Sequence, residues 1–514
     1  MELWFILFAS FCLCTSLHYL IRLLDTKKLP PGPPTVPFLG NLLWLLKSSQ
    51  DFSNMEPIIR SLSAKYGPIV TLYIGSRPSI FITTQAVAHR ALVQRGALFA
   101  NRPPALETTR IIFSNQHTLS SAPYGSLWRL LRQNFTSLLH PSRLKLYSDG
   151  RRWAYNIMKN KLVMMAHQQS ADSPIPIFVQ DHFQHAMFCL LVYMCFGEKL
   201  EEKAIKQIEA VQRPILVNFI RFNVLNFMPR LGKVLFRRLW KELLDIRRNQ
   251  EEILLPLIRQ RQEKIIKEKI HEDKHRILSY VDTLFDLQLP LEDGAGRKFS
   301  DAEMVSLCSE FLNGGTDTST TTLQWVMANL VKHQEIQEKL VGEINAVVKK
   351  GDDIREEDIE KMTYLKAIVL ETLRRHPPGH FILPRAVTED TIFHGYDIPR
   401  NAMVNFTVAE MGWNPNVWDD PMEFKPERFL SHNGEVVFDI KGVKEIKMMP
   451  FGAGRRVCPA ISLALLHQQY FVANLIRDFK WSAGDGEEVD LTEKQDFTMV
   501  MKNPLRALIS PRIC

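Results

Sequence analysis

The chain has 514 residues, more than one hydrophobic core usually supports, so a large domain or two are expected. Its apolar fraction of 46% and charged fraction of 23% are those of an ordinary folded protein. A net charge of +8 is a modest basic excess. With no RNP motif, finger spacing or interleaved basic–aromatic stripe beside it, that charge argues against nucleic acid and for a membrane surface or an acidic protein partner. The seven cysteines (Cys12, Cys14, Cys189, Cys195, Cys308, Cys458 and Cys514) are odd in number, scattered and without CxxC spacing. Neither zinc nor a disulfide framework is indicated, and a reducing, cytosol-facing compartment fits.

Residues 1–24 open with the apolar run Leu3 to Leu24, long enough as a helix to cross a bilayer core of about 30 Å. Glu2 stands where a signal peptide carries positive charge, no small-residue cleavage site follows, and Arg22, Lys27 and Lys28 trail the span. The reading is a single uncleaved anchor with the rest of the chain in the cytosol. Over residues 25–41, Leu29-Pro30-Pro31-Gly32-Pro33-Pro34 predicts a stiff, extended hinge, and residues 42–514 form the folded cytosolic domain.

Residues 69–82 read as two short strands around a turn. Helical periodicity covers 153–165, 182–196, 239–267, 301–331 and 363–375, so a mainly α fold with small β-sheets is predicted. Two glycosylation sequons, at Asn134 and Asn405, fall inside predicted elements and are read as coincidental.

Several constellations carry chemistry. Trp128 and Arg132 share a helix face and offer good donors to a carboxylate, or equally an exposed cationic helix with a core tryptophan. Gly314-Gly315-Thr316-Asp317-Thr318 interrupts an apolar-faced helix. Each glycine there costs about 1 kcal/mol, which implies a close approach or a kink with threonines bonding back to carbonyls. Glu371 and Arg374, three apart in an apolar setting, can pair. His376 and His380 are separated by prolines that preclude a shared helix face, so both read as loop histidines. Arg385 follows as a strand-edge arginine.

Phe451-Gly452-Ala453-Gly454-Arg455-Arg456-Val457-Cys458 surrounds one sulfur with two glycines and a fixed cation, and Ile461 to Leu466 reads as a helix whose N-terminus faces it. Such surroundings favour a thiolate, and a lone thiolate suits the axial position of haem iron.

With the Pro-Pro-Gly-Pro hinge, Phe424-Lys425-Pro426-Glu427-Arg428-Phe429 and the other motifs in order, the whole chain resembles the cytochrome P450 family, most closely its plant endoplasmic-reticulum members. Ala460 departs from the glycine usual there. The resemblance implies haem b ligated by Cys458 as the metal ligand, with Trp128, Arg132, Arg385 and Arg456 binding the cofactor. It implies an oxygen-activating pair in Asp317 and Thr318, and a structural network of Glu371, Arg374 and Arg428. It also implies a substrate cavity lined by Phe113, Phe219, Phe311, Leu312, Ile382 and Met499. The activity so implied is insertion of one atom of O₂ into an apolar small molecule at the endoplasmic-reticulum membrane. Electrons would come from NADPH through a separate cytochrome P450 reductase, for which Lys441, Lys444, Lys447 and Arg455 could form a docking face. The alternatives are a haem-thiolate isomerase or dehydratase, whose members usually lose the acid–alcohol pair, and a non-catalytic membrane haem protein.

Overall fold

The computed structural model describes residues 28–36, 40–41, 44–45, 55–74, 77–168, 176–218, 221–226, 229–271, 277–290, 296–484 and 486–512. The expected anchor over 1–24 and Phe219 lie outside them. Among the described residues, no helix is long and apolar enough to cross a membrane.

The principal elements are α1 (Glu56–Tyr66), β1 (Ile69–Ile74), β2 (Arg77–Ile82), α2 (Ser126–Leu138), α3 (Ser148–Gln168), α4 (Gln180–Phe196), α5 (Glu202–Asn218), α6 (Arg237–His271), α7 (Asp301–Lys332), α8 (Thr363–Arg375), β3 (Arg385–Ala386), β4 (Met403–Phe406), α9 (Ile461–Asp478), β5 (Glu493–Gln495) and β6 (Met499–Met501). The helices expected from periodicity fall within α3, α4, α6, α7 and α8, and the expected strands within β1 and β2. Helices dominate and the sheets are small. The chain forms two compact units, one of Met1–Pro104, His380–Asn414 and Asp439–Val457, the other of Ala105–Gly379, Pro415–Phe438 and Cys458–Cys514.

The first unit is built on a four-stranded sheet of order β1-β2-β4-β3. β1 and β2 pair antiparallel from Ile69↔Ile82 to Ile74↔Arg77, β2 runs parallel to β4, and β3 closes the edge with Arg385 opposite Val404. Ile80, Ile82, Val404 and Phe406 are buried in one core cluster, and Val70, Leu72 and Phe81 in another that includes Ile59 of α1. The proline-rich hinge is not a free spacer over its described part. Thr71 N–H donates to Pro31 O at 2.8 Å, and Asn41 Nδ2 donates to the carbonyls of Pro33 and Pro34. A Cβ on Gly32 would sit 1.9 Å from Thr71 O. Proline lacks N–H but keeps its carbonyl, so the segment accepts bonds from β1 rather than standing off in water. Asn405, in β4, donates to Ser79 Oγ at 2.9 Å and is buried.

In the second unit α7 is the central helix and packs against α4, α8 and α9. It begins at a reciprocal cap, with Ser300 Oγ accepting from Glu303 N–H and Glu303 Oε2 accepting from Ser300 N–H. α4 ends on Gly197, whose φ of 77° lies in the left-handed region that glycine adopts without strain. Trp325 on α7 is fully buried and donates through Nε1 to Met499 O at 2.8 Å, tying β6 to the helix. Gln468 Nε2 on α9 donates to Ser319 O at 2.7 Å, joining α9 and α7 through a buried backbone carbonyl.

Candidate active site

The cysteine loop is shaped by two left-handed glycines, Gly452 at φ 69° and Gly454 at φ 71°. A π-helical turn, Arg90–Gln94, presents the Leu92 carbonyl to the loop, and a Cβ on Gly454 would lie 1.8 Å from that oxygen. Only glycine meets both demands, positive φ and contact with backbone. Arg456, buried, donates through Nε to Ala100 O at 2.5 Å. Arg385 Nη2 donates to Arg456 O at 3.4 Å, and Arg385 is only 2% exposed although its strand is at the sheet edge. A Cβ on Gly452 would stand 3.6 Å from Ile382 Cγ2 and 4.0 Å from Arg385 Nη2, so both residues flank the loop. Upstream, the Asp439 carboxylate accepts from the backbone of Lys441, Val443 and Lys444, and Lys441, Lys444, Lys447 and Arg455 are exposed.

In the second unit Cys458 Sγ accepts the Ala460 N–H at 3.4 Å, immediately before α9. Ala460 has φ −102° and ψ 22°, so its methyl introduces no left-handed strain at the helix start. Burial pushes the Cys458 thiol up, while the Ala460 N–H and the Arg132 guanidinium pull the other way. Loss of hydration outweighs that one N–H and that one cation. Trp128 on α2 is buried with its ring 5.2 Å from that of Tyr124.

α7 continues unbroken through Gly314 and Gly315, and the two glycines serve different ends. A Cβ on Gly315 would strike Leu191 Cδ1 at 2.5 Å, so Gly315 permits close packing against α4. Gly314 is exposed in the middle of an otherwise buried helix, and a Cβ there would meet nothing within 4 Å. One turn on, Thr318 Oγ1 donates to Gly314 O at 2.8 Å, the back-bonding that the sequence left open. Asp317 Oδ1 accepts from Arg213 Nη1 at 3.3 Å. Burial lifts the Asp317 carboxyl to about 6 against the pull of Arg213, and the nearby Asp496 and Glu209 charges push the same way as burial. Sequence reasoning missed Arg213. It sits on an amphipathic helix with no motif around it, and only the packing of α5 on α7 gives it a partner.

The expected cavity residues separate. Leu312 has no exposed surface and lies roughly 160° around α7 from Gly314. Phe311 is likewise buried, stacked on Tyr280 at 4.7 Å and tilted against Phe135 at 5.7 Å. Phe113 is partly buried beside Ile112 and Phe222. Met499 is buried on β6, with its N–H donating to Pro378 O at 2.9 Å.

Glu371 and Arg374 have no exposed side-chain surface and form a bidentate pair, Nε to Oε2 at 2.7 Å and Nη2 to Oε1 at 2.8 Å. Arg428 Nε adds a third charge at 3.2 Å from Glu371 Oε1, and Lys425 N–H donates to the same oxygen at 2.8 Å. The remaining guanidinium donors of Arg374 and Arg428 reach the carbonyls of Asp419, Asp420, Pro421 and Glu423. Both histidines lie in the loop between α8 and β3, and both are buried. His376 is fully buried, stacked on Trp325 at 4.0 Å and bonded through Nδ1 to Glu493 at 2.8 Å. His380 is buried with its ring edge-on to Trp413 at 5.2 Å. Prolines prevent a helix there but do not prevent burial.

The cytochrome P450 sequence profile matches residues 30–510. Cytochrome P450 89A9 of Arabidopsis thaliana is 48% identical over 96% of this chain and 96% of its own length. Isoflavone 3'-hydroxylase of Medicago truncatula is 31% identical over 94% of this chain and 92% of its own. A solved zebrafish cytochrome P450 with progesterone superposes with a TM-score of 0.73 at 22% identity, covering 89% of this chain and all of that one, and shares the fold. The donors present suit the haem of that family. Cys458 is a lone sulfur with a backbone N–H on it, and the bare backbone at Gly314 leaves room beside α7. A protein that carries these features in the family's order along nearly its whole length belongs to the cytochrome P450 family, the haem-dependent monooxygenases.

Proposed function

We propose that this monooxygenase acts on an apolar small organic molecule and is anchored by residues 1–24 in the endoplasmic-reticulum membrane with its catalytic part in the cytosol. It receives electrons from NADPH through cytochrome P450 reductase. When bound, haem supplies the iron at which dioxygen is activated. Cys458 Sγ holds that iron, and Trp128, Arg132, Arg385 and Arg456 hold the propionates as charge-assisted donors. Phe113, Ile382 and Met499, with Phe219, line an apolar substrate space. The exposed cations at Lys441, Lys444, Lys447 and Arg455 offer an acidic reductase a docking face.

Asp317 and Thr318 move protons. The observation that carries this reading is their position one turn from the open backbone at Gly314, with the Asp317 carboxyl at about 6. An acid poised there can give and take protons near neutrality. The intact acid and hydroxyl also argue against a peroxide isomerase, which needs neither. The test is spectral and kinetic. Purified holoenzyme, reduced and exposed to carbon monoxide, should show the absorption of a thiolate-ligated carbonyl complex. It should then consume NADPH only with reductase present. Turnover of hydroperoxides without reductase, and none with it, would replace this reading by the isomerase.

A further inference from the structure

The acid of α7 has a partner that the family motif does not contain. Arg213 Nη1 lies 3.3 Å from Asp317 Oδ1, and the rest of that guanidinium is partly open to solvent. What precedes it on α5 fixes its place. Gln212, buried, accepts through Oε1 from Ser309 Oγ at 2.7 Å, Gln250 Nε2 at 2.9 Å and Asn313 Nδ2 at 3.1 Å. Gln250 Nε2 also donates to Ser309 Oγ at 3.0 Å. One buried amide thus joins α5 and α6 to α7, one turn before Gly314. Buried polar networks of this kind set a single register, because slippage would strand several donors at once.

We propose that Arg213, registered by the Gln212–Ser309–Asn313–Gln250 network, is a positioning residue that aims and holds ionised the carboxyl of Asp317. This rests on the reading that Asp317 moves protons, but the ion pair can be tested apart from it. The groups that bear on Asp317 are Arg213 and Glu209 from α5 and Asp496 from the turn between β5 and β6. Arg213 is the single cation among them. Without it, burial and two acids act unopposed, and Asp317 must keep its proton to higher pH.

The experiment uses the full-length holoenzyme as wild type, Arg213→Gln, Arg213→Lys and Asp317→Asn. First, the Asp317 carboxyl is titrated by infrared difference against Asp317→Asn. Arg213→Gln should raise its midpoint by about one pH unit, a tenfold change in ionisation constant, and Arg213→Lys should restore it. Second, NADPH oxidation and hydrogen peroxide release are followed with reductase from about pH 5 to about pH 8, a range that brackets ordinary histidine titration. Their inflection should move with the infrared midpoint, while the carbon monoxide spectrum of all four proteins stays unchanged. An unmoved infrared midpoint in Arg213→Gln overturns the proposal. A moved midpoint, with a peroxide profile that Asp317→Asn leaves as in wild type, keeps the ion pair and instead removes Asp317 from proton delivery.

Discussion

Gly454 packs face to face with the Leu92 carbonyl, at a separation where a β-carbon would stand 1.8 Å from the oxygen. The loop that presents Cys458 is thereby seated on the π-helical turn Arg90–Gln94 by backbone alone. Gly454→Ala should lose haem. The φ of 71° costs a non-glycine residue about 1–3 kcal/mol, and the clash with an immobile carbonyl adds to that. The haem-to-protein absorbance ratio of the purified variant measures it, and a full complement of haem would show that the loop can re-seat.

Cys458→Ala removes the sulfur while leaving the Ala460 N–H and α9 intact. The variant should fold with near-native melting, yet give no thiolate-type carbonyl spectrum and no NADPH-dependent product. Retained turnover would falsify the ligand assignment.

Glu371 accepts from two guanidinia and a backbone N–H with no exposed side-chain surface. Glu371→Ala leaves buried cations uncompensated, a loss of about 3–5 kcal/mol. Urea unfolding should show a lower midpoint at unchanged slope. A shift worth less than about 1 kcal/mol would class the pair with ordinary surface bridges.

Thr318→Ala deletes a hydroxyl that donates to Gly314 O at 2.8 Å. Haem content should be unchanged, whereas product formed per NADPH should drop about tenfold or more, a modest part of the roughly 10²–10⁴-fold that general acid catalysis supplies. Hydrogen peroxide should rise to match, and Thr318→Ser should recover most of the coupling. Equal coupling in Thr318→Ala and wild type sinks the role.

His376, sandwiched against Trp325, is held by burial down to about 4. Its unfolded value is near 6.5, so between those two values the unfolded chain binds more protons than the native one. The stability tied to its neutral form is complete above about pH 6.5 and drains away as pH falls towards about 4, to a total of about 3 kcal/mol. Asp317, raised rather than lowered, slopes the opposite way in an overlapping window. Comparing wild type with His376→Phe removes that contribution. Melting temperature in the variant should fall less steeply on acidification, and parallel curves would rule the histidine out as an acid-labile point.

Periodicity and local motif determined the helices and the first hairpin of this protein. Hydrophobic spacing, capping and glycine chemistry act over a few residues, so the strands at 69–82, the helices α3, α4, α6, α7 and α8, and the Cys458 loop are written in adjacent letters. Tertiary structure alone decided the contacts between distant elements. The pairing of Arg213 with Asp317, the burial of His376 on Trp325, the seating of Gly454 on Leu92 and the burial of Leu312 in the core join residues far apart in the chain or on faces that no local pattern names. Their energies come from desolvation and close contact, and these exist only once separate elements have packed.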